Sequence, residues 1–159
     1  MMFSKILIAL DGSEHSLKAV DYAKQLSPDK SARIEVVHVR ELLMGRGVGG
    51  APVKLDEEEV VEQVQGTVRE LGEAGYDVHL QVVSTVRDGP AQIIAEVAKT
   101  IHADVIIVGS RGHGPVAGLL VGSVAQRLLH LAPCPVLVIP VAKRGSGEEE
   151  ASGSAVTTA

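Results

Sequence analysis

Residues 104–124 read DVIIVGSRGHGPVAGLLVGSV. The run Asp104-Val-Ile-Ile-Val-Gly109 is the most apolar short stretch in the chain, which predicts a strand buried on both faces, as in the centre of a parallel sheet. Glycines then fall at 109, 112, 114, 118 and 122, so five of the chain's 17 glycines lie within 14 positions. After Gly122-Ser123, the spacing of Val124, Leu128 and Leu131 predicts a helix over 123–131. A strand end, closely spaced glycines and a Gly-Ser helix start are what a phosphate site requires. Missing Cβ atoms let the backbone approach an anion, and N–H groups at a helix N-terminus donate to it.

Outward from this stretch, strand-like and helix-like patterns alternate. Toward the N-terminus, Lys5-Ile-Leu-Ile-Ala-Leu10 stops at Asp11-Gly12, and Ser13 caps a helix with Leu17, Val20, Ala23 and Leu26 on its stripe, ending at Ser27-Pro28. RIEVVHVR, from Arg33 to Arg40, reads as the second strand. A helix opening at Asp56 and Glu57 carries Val60, Val61, Val64, Val68 and Leu71, with Gly72 and Gly75 at its end. Tyr76 to Thr85 is the third strand. Asp88-Gly89-Pro90 starts the next helix, with its stripe at Ile93, Ile94, Val97 and Ile101. Beyond Pro133 and Pro135, the last strand runs from Val136 to Val141, where Pro140 suits an edge position.

Five strands and four helices in strict alternation predict an α/β fold: a five-stranded open parallel sheet, Rossmann-like, with helices on both faces. Ligands of such sheets sit beyond the carboxyl ends of the strands, where the strand order reverses. That rule selects the loops after Asp11, Val39 and Gly109.

Two segments have no apolar period. MGRGVGGAP, between Glu41 and Leu55, reads as a mobile loop or connector, and GSGEEEASGSAVTTA, from Gly145, as a disordered acidic tail. The division is therefore a domain over 1–144 and a tail over 145–159. The net charge of -5 resolves accordingly. The tail carries -3 on Glu148, Glu149 and Glu150, leaving 15 basic against 17 acidic residues, or -2, in the domain.

Composition removes several function classes from 159 residues. Without a basic excess, and with no Trp, two Tyr and one Phe, the chain lacks the charge footprint and stacking platforms of nucleic-acid binding. The single Cys134 excludes an intrachain disulfide framework and a multi-cysteine zinc site. No run of about 18 apolar residues is present, and the N-terminal residues lack a small-residue cleavage site, so the expected location is cytoplasmic, with no membrane partner.

The glycine loop is more specific than its composition. Two residues separate Gly109 from Gly112, nine separate Gly112 from Gly122, and Ser123 follows. This spacing resembles the glycine signature of the ATP-binding universal stress proteins. The likeness extends over residues 3–141 through KILIALDGS, VVHVR, ADVIIVGSRGHG and LLVGSVAQRLLHLAPCPVLVIP.

The resemblance implies ATP as ligand, with Mg2+ or Mn2+, and assigns roles by position. Ala9 and Asp11 would line the nucleoside side, the Asp11 carboxylate lying near the ribose or a metal. Val39 would hold adenine through its backbone. Val108, Gly109 and Gly112 would border ribose and phosphates, and Gly122, Ser123 and Val124 would bind phosphate. Relatives often carry Pro in place of Ala9, a departure confined to that contact. The resemblance also implies a homodimer through the last strand, and a protein partner that reads the nucleotide state.

Each position has a plainer reading beside this one. Gly109 and Gly112 also suit turns, Asp11 suits the turn and capping chemistry of Asp-Gly-Ser, and Val39 suits the core. Arg111 suits a phosphate contact or a solvated loop. His15, His79, His102 and His130 have no metal-ligand spacing and read as surface or capping residues, and His38 packs in or beside the sheet.

Other site motifs fail on inspection of the residues. Gly122-Ser123 lacks the lysine of a Walker loop. Gly45-Arg-Gly47-Val-Gly-Gly50 satisfies G-x-G-x-x-G, but Ala-Pro follows it instead of a helix. No G-x-S-x-G elbow is present. With neither a motif for a catalytic base nor a fixed cation at the γ-phosphate, binding is better supported than turnover. The expected function is that of a nucleotide-dependent regulatory protein in the stress response. The alternatives are a weak ATPase or autophosphorylating phosphotransferase at the same site, and an interaction module without nucleotide.

Overall fold

The aliphatic runs become five strands and the amphipathic stretches four helices: β1 (Lys5–Ala9), α1 (Glu14–Leu26), β2 (Arg33–Glu41), α2 (Glu57–Glu73), β3 (Asp77–Thr85), α3 (Pro90–Ile101), β4 (Val105–Gly109), α4 (Ser123–Leu131) and β5 (Val136–Ile139). The computed structural model describes residues 3–41, 57–85, 88–110 and 121–140. The loop expected between Glu41 and Leu55 and the tail from Gly145 lie outside the described residues.

All strands pair in parallel, in the order β3-β2-β1-β4-β5. Strand side chains alternate with a period of two, and the alternation builds two cores. Ile6, Ile8, Ile34, Val36, Val105 and Ile107 pack with Ala19, Val20 and Ala23 of α1 and Val64 and Leu71 of α2. On the other face, Leu7, Val37, Ile106 and Val108 pack with Ala91, Ile94, Ala95 and Ala98 of α3 and Ala125 and Leu128 of α4. The doubly covered parallel sheet expected from the alternation is therefore the observed fold.

The caps explain the element bounds. Ser13 accepts a hydrogen bond from Ser16 N and starts α1, and Pro90 occupies the first turn of α3 after Gly89. α2 ends in a Schellman arrangement: Tyr76 N donates to Leu71 O and Gly75 N to Gly72 O, with Gly75 at φ +90°. Gly75 is thus the stop, whereas Gly72 lies inside the last turn as an acceptor. α3 repeats the arrangement with Ala103 N on Ala98 O and His102 N on Lys99 O, and His102 takes the left-handed position at φ 56°.

Three expectations shift in detail. β5 stops at Ile139, so Pro140 lies just past the edge strand and Val141 outside the described residues. The buried faces of α1, α3 and α4 include Ala19, Ala91, Ala95, Ala98 and Ala125, which the stripes of larger residues omit. Leu131 is not buried with Leu128; it is 40% exposed in the last turn of α4.

Candidate functional site

Strand order reverses between β1 and β4, so their C-terminal ends diverge into α1 on one face and α4 on the other. The register places Ala9 beside both Val108 of β4 and Val37 of β2, while Val39 continues two residues further along β2. Ala9, Val108, Val39 and Val124 all belong to the core on the α3/α4 face. Ala9 and Val108 are buried there, and Val39 and Val124 are partly exposed. The result is an aliphatic wall at the switch point.

On the β4 side, Ser110 N donates to Ile139 O at 2.7 Å and Gly122 N donates to Ser110 O at 2.6 Å. The chain therefore leaves and rejoins the sheet at one residue, and α4 starts directly beyond Gly109. Gly122 is the N-cap of α4 and offers no side-chain acceptor. The N–H groups of Ser123, Val124 and Ala125 point out of the first turn, where an α-helix supplies no acceptor of its own. Because Gly122 N already serves Ser110, what Gly122 offers an anion is its missing Cβ. Ser123 is exposed at this end.

On the β1 side, the Asp-Gly-Ser sequence forms the turn its chemistry suggests. Asp11 Oδ1 accepts from Ser13 N at 2.9 Å and from Ser13 Oγ at 2.5 Å, while Asp11 N donates to Ser16 Oγ at 3.3 Å. Gly12 has φ +80°. One oxygen of Asp11 thus holds the turn that starts α1, at the mouth of the same switch point.

Of the nine site positions read from the sequence, Ala9, Asp11, Val39, Val108, Gly109, Gly122, Ser123 and Val124 are brought to this end of the sheet. Gly112 lies outside the described residues, as do Arg111 and His113. Among the described residues, no group of three or more His, Cys, Asp and Glu could hold a metal ion. Burial, and then the charge of Asp104, push the Cys134 thiol up.

The sequence did not mark His38 and Glu57 as part of this region. His38 is buried, with Nδ1 2.8 Å from Leu10 O and Nε2 3.0 Å from Glu57 Oε1. Nothing local could have signalled the pair, since 19 residues separate them.

Comparison with known proteins adds to this geometry. The model of the universal stress protein family matches residues 2–140. A universal stress protein of Thermus aquaticus is 34% identical over 140 residues, covering 87% of this chain and 99% of that protein. The chain belongs to the universal stress protein family. Among solved members, the Burkholderia pseudomallei protein superposes with a TM-score of 0.69 at 31% identity, covering 88% of this chain and 98% of that one. The Archaeoglobus fulgidus universal stress protein in complex with dAMP shares the fold, with a TM-score of 0.62 at 23% identity, over 87% of this chain and 99% of that one. For this universal stress protein, the C-terminal ends of β1 and β4 with the start of α4 form the candidate site.

Proposed function

We propose that this universal stress protein binds an adenine nucleotide, ATP with Mg2+ or Mn2+, and acts as a nucleotide-dependent regulatory protein in the stress response. The observation that carries the proposal is the meeting of an aliphatic wall with the uncapped N-terminus of α4 at the point where strand order reverses. Such a wall suits a purine, and N–H donors at the positive end of a helix suit a polyphosphate. The residues present fit the nucleotide in kind. Ala9 and Val39 would face the nucleoside; Val108, Gly109 and Gly112 would border ribose and phosphates; and Gly122, Ser123 and Val124 would bind phosphate. Asp11 would place its carboxylate near the ribose or a metal. A protein of the same fold solved with dAMP supports the class of ligand.

Slow phosphotransfer at this site is the second reading, and the exposed hydroxyl of Ser123 at the helix start favours it. A single-turnover assay with labelled ATP separates the two. Phosphate release or labelling above background, lost in Asp11→Ala or Ser123→Ala, supports turnover, and its absence leaves binding.

We also propose a homodimer through β5, an edge strand whose Val136, Leu137 and Val138 remain partly exposed. Light scattering at micromolar concentration should give twice the chain mass; a monomer contradicts the dimer. The absence of a basic excess supports a reading without nucleic acid. No helix among the described residues is long and apolar enough to cross a membrane; a cytoplasmic setting is part of the proposal.

The nucleotide proposal is tested by unfolding the purified protein and identifying what is released. An adenine nucleotide supports it. No released nucleotide, together with a melting temperature unmoved by added ATP, overturns it. At about 100 times its Kd, a native-state ligand stabilises by about 2.7 kcal/mol, a rise of about 5–10 °C for a domain of this size.

A further inference from the structure

We propose that His38 is a positioning residue of the nucleotide site, an inference that rests on the nucleotide reading above and names how the site is held in register. The Leu10–Asp11 peptide is the link between β1 and the turn that aims the Asp11 carboxylate. Its carbonyl, on Leu10, lies 2.8 Å from His38 Nδ1, and its N–H, on Asp11, donates to Ser16 Oγ at 3.3 Å. A carbonyl oxygen can only accept, so Nδ1 carries the hydrogen of that bond. With Leu10 N donating to Val37 O at 3.0 Å, the peptide units on either side of Leu10 are held, and the orientation of the turn depends on the imidazole.

The ring is itself held at its far side. Nε2 lies 3.0 Å from Oε1 of Glu57, the first residue of α2, and Arg40 Nε stands 3.8 Å from the same oxygen. Among the described residues, Arg40 Nε is buried without a hydrogen-bond partner, and this carboxylate stands close to two side chains of β2. His38 and Arg40 leave the strand toward the α1/α2 face, and Val39, between them, turns to the opposite face. The His38 contact with Glu57, with the Arg40 guanidinium 3.8 Å from the same oxygen, holds the strand on either side of Val39, the position proposed to hold adenine. One buried ring thereby couples the two nucleoside-side positions, Asp11 in the turn after β1 and Val39 on β2.

The test compares two substitutions that both remove the Glu57 bond but differ at Leu10. In His38→Leu no donor is left for the Leu10 carbonyl, whereas in His38→Asn the side-chain amide takes the place of Nδ1–H. Titration calorimetry with MgATP, run beside melting curves, should show His38→Leu weakened about tenfold and His38→Asn recovering to within about threefold of the parent protein. A merely structural role would lower both melting temperatures and leave the affinity of the folded protein unchanged. Equal affinity of His38→Leu and the parent, or of the two variants with each other, overturns the positioning role while the nucleotide site stands. A parent protein that takes up no MgATP overturns the nucleotide site, and the positioning role with it. If neither variant folds, nitrogen-edited NMR of the parent decides: the Nδ1–H resonance of His38 should shift on saturation with MgATP, and an unmoved resonance overturns the proposal.

Discussion

At Gly12 the chain turns with φ +80°, and a Cβ built there would stand 2.8 Å from Val60 Cγ1. Both the left-handed backbone and the contact with α2 exclude a side chain. Gly12→Ala should therefore cost about 1–3 kcal/mol in denaturant unfolding, and it should weaken nucleotide binding because the same turn carries Asp11. At the opposite end of the sheet, Asp104 Oδ2 accepts from Ser4 N at 2.7 Å and Lys5 N at 2.8 Å, pinning the start of β1 beside β4. The hydrogen bonds from Lys5 and Ser4, with the Lys5 charge, hold the Asp104 carboxyl below its usual range. A carboxyl lowered in the folded state stabilises above its ordinary pKa of about 3.9, and that contribution is lost as pH falls through the lower folded value. Asp104→Ala should cost about 1 kcal/mol at pH 7, a modest figure because the carboxylate stands in solvent. The gap between variant and parent should close in melts taken progressively below pH 4, a window set by the downward direction of the shift. A gap that stays constant through that range would contradict the assignment.

At the scale of elements, the cap residues made the helices legible. Ser13 and Gly89-Pro90 mark two helix starts because they satisfy or dispense with backbone N–H groups, a local matter that residue type reveals, and Gly122-Ser123 marks a third that no side chain caps. The stops were less legible. Gly72 and Gly75 are equally good glycines, and only the bonds to Leu71 O and Gly72 O distinguish acceptor from left-handed stop. The alanine faces were missed for a related reason. A small residue carries little hydropathy of its own, and its burial follows from how closely the helix approaches the sheet. In α4 the load falls on Leu128, which has no exposed surface and packs between α3 and the sheet. Leu128→Ala should cost about 2–5 kcal/mol in denaturant unfolding. Leu131→Ala, at a position 40% exposed, should cost well under half as much. Equal losses would mean that α4 sits on the sheet by a different face.

For the whole molecule, alternation of strand and helix established the parallel α/β class, because each period reports burial on one or both faces. Strand order is a different kind of information. No single run states its neighbours, so the switch point between β1 and β4 could be expected as a rule but located only by the register of Ala9 with Val108. The glycine spacing after β4 was legible in the sequence, and the proposed anion-accepting role of that loop rests on it. The engagement of Gly122 N by Ser110 O was not, since it depends on where the loop returns. The same holds for His38, whose partners come from β1 and α2. The aliphatic wall and the uncapped helix converge only when all three layers are assembled, and the proposed function belongs to that convergence. Its most direct test is calorimetric titration of MgATP into nucleotide-free protein, with Gly122→Val as the comparison. The account predicts saturable binding of one nucleotide per chain to the parent and none to folded Gly122→Val. No binding to the parent, or unchanged affinity in the variant, would contradict it.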